Sequence, residues 1–247
     1  MKKNNYSYIG IAFIILLFGI LFIPKIIDRI QNGDVVRDES RSDFANEKRD
    51  ITSDLAFIEV DGVAKKVPSF SFTDQNGKTI TNEDYLGKVY VVEFFFTTCP
   101  TICPRMSKNL VQVQNSFKDF DNFGVASFTI NPAYDTVEVL KEYATQYGVT
   151  NPNWHLMTGD RDDIYKLSNE GFNLYSAEDE NAAGGFEHSG NFALIDKSGF
   201  IRSRKDDYGN PIIYYRGIAS EEEQVDEDGA PQEITALKED IKKLLHE

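Results

Sequence analysis

"FFFTTCPTICPRM" occupies residues 94–106 and holds both cysteines of the chain, Cys99 and Cys103, each followed by a proline. The run leading into it, "KVYVVEFFF" (residues 88–96), is almost unbroken β-branched and aromatic sequence, the composition of a strand buried on both faces. Beyond it, Pro104 suits a first helical turn, and Met106, Leu110, Val113 and Phe117 follow at helical spacing. A buried strand, a Thr-Thr-Cys-Pro turn and a helix put Cys99 at or near a helix N-terminus. Unpaired N–H groups and the helix dipole there favour a thiolate. If both cysteines are helical, their i, i+4 spacing places them on one face. Such a pair can serve as a structural staple, a redox couple, or two soft ligands for Cu(I) or Zn(II). A staple is the weakest of these uses, because closing so short a loop gains little.

Strand and helix signals alternate outward from this turn. "PSFSFTDQNGKTIT" (residues 68–81) reads as a hairpin around Asn76-Gly77. "GVASFTI" (residues 124–130) is a second strand, and Asp135 or Thr136 caps a helix that runs through Tyr147 and stops at Gly148. "WHLMTG" is a short strand, residues 160–171 a helix, and "NFALIDKSGFIR" a hairpin turning at residues 197–199. "IIYYRGI" follows as a strand and residues 234–245 as an amphipathic helix. The alternation predicts an α/β fold with a mixed central sheet flanked by helices. Two acidic, glycine-bearing loops, residues 176–185 and 220–231, interrupt it; solvated surface is their simplest reading, and the first leads directly to His188.

Ahead of the globule, "IGIAFIILLFGILFI" (residues 9–23) is continuously apolar and, with its flanks, long enough to span a bilayer. Tyr6 and Tyr8 suit an interfacial belt, and no small-x-small cleavage site follows. The expectation is an uncleaved single-pass transmembrane helix in residues 1–27, a charged tether in residues 28–54, and a folded domain in residues 55–247. Lys2 and Lys3 against Lys25, Asp28 and Arg29 weakly favour a cytoplasmic N-terminus with the domain outside the cell membrane. Thiols on that side oxidise unless something keeps them reduced. The net charge of −14 repels phosphate backbones, which argues against nucleic-acid partners.

Several stretches together resemble the SCO/SenC family: "FFFTTCPTICP", "TINPAYDTVEVLKEYATQYGV" (residues 129–149), "MTGDRDDI" (residues 157–164) and "HSGNFALIDKSGFI" (residues 188–201). The resemblance covers residues 68–217. It implies a thioredoxin-like fold and a copper site made of Cys99, Cys103 and His188. It further implies delivery of copper to the dinuclear centre of a haem–copper respiratory oxidase, with the oxidase's copper-accepting subunit as partner. Cu(I) is the first candidate and Cu(II) the second; the copper donor or thiol reductant is not indicated. His188 also gains weight from its place between a glycine-rich loop and an inner-looking strand. No proline occurs in residues 186–195, where thioredoxin-like oxidoreductases carry one beside their cysteines. His155 and His246 lack such context and read as structural or exposed. The family's Asp-Pro-x-Arg-Asp-Thr stands here as Asn131-Pro132-Ala133-Tyr134-Asp135-Thr136, which puts any docking through the missing groups in doubt. Glu187 is placed to orient the His188 ring or to be surface.

Two other functions compete. The dithiol fits a thiol–disulfide oxidoreductase, with Cys99 attacking and Cys103 resolving, that reduces the oxidase's cysteines or other exported proteins. A peroxide-scavenging relative would need one activated thiol in a Thr or Arg constellation, for which Thr97 and Thr98 alone are suggestive.

Overall fold

The computed structural model describes residues 15–18, 24 and 55–247. Residues 15–18 and 24 are helical and exposed. The remainder of the expected anchor and tether lies outside the described residues. Among the described residues no helix is long and apolar enough to cross a membrane. Residues 55–247 fall within one compact unit.

In chain order the strands are β1 (Ala56–Phe57), β2 (Glu59–Val60), β3 (Val63–Ala64), β4 (Ser71–Asp74), β5 (Thr79–Thr81), β6 (Val89–Phe95), β7 (Phe123–Thr129), β8 (Trp154–Thr158), β9 (Ser176–Glu178), β10 (Phe186–His188), β11 (Asn191–Ile195), β12 (Ile201–Ser203) and β13 (Tyr215–Arg216). The helices are α1 (Cys103–Ser116), α2 (Val137–Tyr147), α3 (Arg161–Lys166) and α4 (Ile234–His246). One mixed sheet runs β1-β12-β11-β6-β7-β8-β4-β5, with β13 paired to the start of β11. Strands β6, β7 and β8 are parallel; β11 and β4 flank them antiparallel.

Every residue of β6 and β7 is buried, as the apolar run at residues 88–96 predicts. Alternation sorts β6 onto two faces. Phe94 stacks on Phe128 and meets Phe172 edge-on, while Phe95 contacts Tyr143 of α2 on the other side. Helices or their extensions therefore cover the sheet centre on both faces, and α4 packs on α1, β6 and β13.

Several boundaries differ from the sequence reading. The helix expected over residues 160–171 is α3, capped by Asp160, followed by a π-helical turn at Leu167–Phe172. "IIYYRGI" yields only the two residues of β13, because Ile213 takes φ 72°, a conformation that a β-branched residue adopts only under constraint. The first acidic loop is part of a hairpin, with β9 pairing β10 so that His188 lies opposite Ser176. Thr136, not Asp135, caps α2 by accepting the Val139 N–H, and Gly148 closes the helix at φ 79°. His155 is structural: its Nδ1 lies 2.9 Å from Asp74 Oδ2, and its ring sits edge-on to Tyr85.

Candidate metal centre

Strand β6 ends one residue before Phe96, and the chain then turns so that the Cys99 N–H donates to the Phe96 carbonyl at 3.2 Å. Helix α1 starts only at Cys103. The two cysteines therefore do not share a helical face: Cys103 is locked into the first turn, while Cys99 lies in the preceding loop and bends back toward it. Both are free and buried. Strand β10 brings His188 to them from the far side, with its Nε2 3.1 Å from the Cys103 sulfur. The Cys99 and Cys103 sulfurs and one nitrogen of His188 all lie within 4.8 Å of one another. Those three residues are the ones the resemblance implied.

The hydrogen bonding suits ligation. His188 Nδ1 faces the Ser189 carbonyl at 3.3 Å, an acceptor that would take the ring proton once Nε2, the nitrogen turned toward the sulfurs, ligates a metal. Hydrogen bonding from Cys103, with help from His188 and the backbone N–H groups of Cys103 and Thr101, holds the Cys99 thiol well below the ordinary thiol range and outweighs its burial. Burial and the adjacent Cys99 thiolate push Cys103 far in the other direction. The resting pair is thus one thiolate and one thiol.

The hairpin is seated on the cysteine turn by a glycine. Gly184 has φ 82°, and a Cβ there would lie 2.8 Å from the Phe96 ring and 3.2 Å from Pro100 Cδ. Phe96 in turn meets the His188 ring edge-on at 5.8 Å. Gly184→Ala is expected to cost about 1–3 kcal/mol of stability in chemical denaturation, from strain at positive φ and the ring clash together. An unchanged denaturation midpoint would show that the hairpin is not held this way.

Other sequence-level candidates fall outside the centre. Thr97 gives its hydroxyl to Asp135 and Thr98 is exposed, so neither flanks a thiol as a peroxide site requires. Glu187 is exposed, and His246 lies at the end of α4 against Phe120. The Thr97–Asp135 contact and the role of Gly184 had no signature in the motif, since both depend on chain segments far apart in sequence. Glu93 had one: it is the single acidic residue in an otherwise apolar strand.

Two sulfurs just beyond a central parallel strand and an imidazole from the β9–β10 hairpin form a donor set of the kind that suits a soft metal ion, on a mixed α/β, thioredoxin-like fold. The sequence profile of SCO1/SenC matches residues 59–221, and the chain belongs to that family. It is 34% identical over 95 residues to the SCO1 protein homolog of Bacillus subtilis, covering 38% of this chain and 49% of that one. Its fold is similar to a SCO1/SenC family lipoprotein from Bacillus anthracis, with TM-score 0.60 at 30% identity over 73% of this chain and 95% of the other. It is similar also to the copper-bound ScoI of Bradyrhizobium japonicum, with TM-score 0.54 at 23% identity over 73% and 99% of the two chains.

Proposed function

We propose that this protein is a membrane-anchored copper carrier that holds one copper ion on Cys99, Cys103 and His188 and delivers it to the dinuclear copper centre of a haem–copper respiratory oxidase. The observation that carries the reading is the convergence of two sulfurs and an imidazole nitrogen within 4.8 Å. Thiolates select Cu(I) over hard cations, and a three-ligand site leaves room for an incoming thiolate of the acceptor to take the ion. Membership of the SCO1/SenC family and the apolar run at residues 9–23 support delivery at a membrane.

The deciding experiment is a Cu(I) titration of the reduced full-length protein against a competing chelator, in parallel with Cys99→Ser and His188→Ala. One tight equivalent is expected, weakened in each variant by about tenfold or more, the scale on which loss of a ligand or of its orientation acts. Tight binding indifferent to His188 would overturn the three-ligand site. A second reading, thiol–disulfide exchange, is favoured by the thiolate–thiol asymmetry: Cys99 would attack a partner disulfide and Cys103 would then displace the partner's second thiol. Copper-independent reduction of a disulfide substrate by both wild type and His188→Ala would favour it.

A further inference from the structure

Of the three ligands, Cys103 is fixed by a helix and His188 by a strand, whereas Cys99 sits on a turn between elements. Two residues ahead of it, Thr97 is tied to a carboxylate with no solvent exposure, that of Asp135. The Thr97 N–H donates to Asp135 Oδ2 at 3.1 Å, and the Thr97 hydroxyl donates to Oδ1. The Thr129 hydroxyl at the end of β7 donates to Oδ2 and itself accepts the Asn131 N–H at 3.0 Å. Asp135 is anchored in turn by its own N–H to the Asn131 carbonyl at 2.9 Å.

We propose that Asp135 is a positioning residue for the dithiol: through Thr97 it holds the turn in the place from which Cys99 faces Cys103 and His188. The inference rests on the copper reading above. Three features separate it from plain structural glue. Capping of α2 is done by Thr136, so the Asp135 oxygens are free for another task. The three contacts to those oxygens, from the Thr97 N–H and from the Thr97 and Thr129 hydroxyls, are all donated to the carboxylate, which accepts only. Burying a carboxylate is costly, and the contacts that offset the cost are spent on the cysteine turn and on the β7 end beside it. The sulfurs stand as two free thiols, and a turn held in place opposes their closing to the short S–S distance of a disulfide.

The test compares Thr97→Val, Asp135→Ala, the double variant and Cys99→Ser in the full-length protein. Cu(I) affinity is measured by chelator competition, and the dithiol–disulfide equilibrium of the metal-free protein against a glutathione buffer. Asp135→Ala, which removes both Thr97 hydrogen bonds, is expected to weaken Cu(I) binding by about tenfold; Thr97→Val, which removes the hydroxyl bond and leaves the N–H bond, by about threefold; and the double by no more than Asp135→Ala alone, since its second change cuts a linkage already lost. In glutathione the disulfide is expected to be favoured by about fivefold over wild type, as the freed turn lets the sulfurs meet. Thr97→Val keeps the buried carboxylate, its Thr129 contact and the Thr97 N–H bond, so it decides the matter should Asp135→Ala fail to fold. Both readouts within twofold of wild type in Thr97→Val, or fully additive losses in the double variant, would overturn the proposal. If wild type itself binds no copper, the copper reading fails, and the glutathione measurement still judges the positioning role without any metal.

Discussion

Between pH 7 and pH 8 the apparent Cu(I) affinity of the reduced protein is expected to rise about tenfold, with one proton released for each copper bound. Two thiols of ordinary acidity would raise it by roughly sixtyfold over the same step, because both would be losing protons. Cys99 contributes nothing to the slope, since the hydrogen bond from Cys103 and the help of His188 and nearby N–H groups already hold it as the thiolate. Cys103, kept protonated by burial and by its charged neighbour, contributes one full proton. The sign follows: the metal competes with a proton at Cys103, so affinity increases as pH rises through this window. Cys103→Ser should flatten the profile while lowering affinity throughout. Chelator competition at several pH values, corrected for the chelator's own titration, reads the slope directly. A slope near two protons would mean that the thiolate–thiol asymmetry does not exist in solution.

That asymmetry also marks how far the sequence could be read. The strand at residues 88–96, the helix after Pro104 and the hairpin at residues 191–203 were visible because each carries its own periodicity and turn chemistry. That Cys99, Cys103 and His188 come together was expected from the resemblance to the SCO/SenC family, and the fold does bring their sulfurs and ring nitrogen within 4.8 Å of one another. What no local pattern encodes is how the ligands are held. The spacing of the cysteines favours a common helical face, yet α1 starts at Cys103, and Thr97 in the turn before Cys99 is bonded to Asp135 across thirty-eight positions of sequence. Asp135 itself looks like a helix cap, sitting beside Thr136 ahead of an amphipathic helix. Tertiary contact gave the cap to the threonine and the carboxylate to the cysteine turn. The strand at "IIYYRGI" failed for a related reason: its composition is right, but the backbone at Ile213 departs from extended geometry, so only Tyr215 and Arg216 reach the sheet.

The largest stability effect is expected at Glu93. It sits in the middle of β6 with 1% of its surface exposed; its Oε1 accepts the Ser127 hydroxyl at 2.7 Å, and its Oε2 is buried without a partner. Ser127 Oγ in turn accepts the Trp154 indole N–H at 3.0 Å, so the hydroxyl has only one proton to offer and gives it to Glu93. Burial raises the Glu93 carboxyl to about 7 from an ordinary value of 4.5, and the Ser127 hydrogen bond only partly opposes it. A raised carboxyl binds its proton more tightly in the folded chain than in the unfolded one. Its contribution is therefore intact below pH 4.5, is lost as pH climbs from there through 7, and changes little above. The loss amounts to about 3 kcal/mol, the shift converted at about 1.4 kcal/mol for each pH unit. Glu93→Gln has no proton to lose, so urea unfolding of the two proteins at pH 5 and pH 8 isolates the effect, because every other titration cancels in the difference. The variant should gain about 2.5 kcal/mol on wild type between the two pH values, most of the full loss, whatever fixed offset its amide introduces. A difference that stays constant across that range would show that Glu93 titrates as an ordinary carboxylate, and that the polar group at the centre of the sheet is solvated by a route the packing of β6 and β7 does not provide.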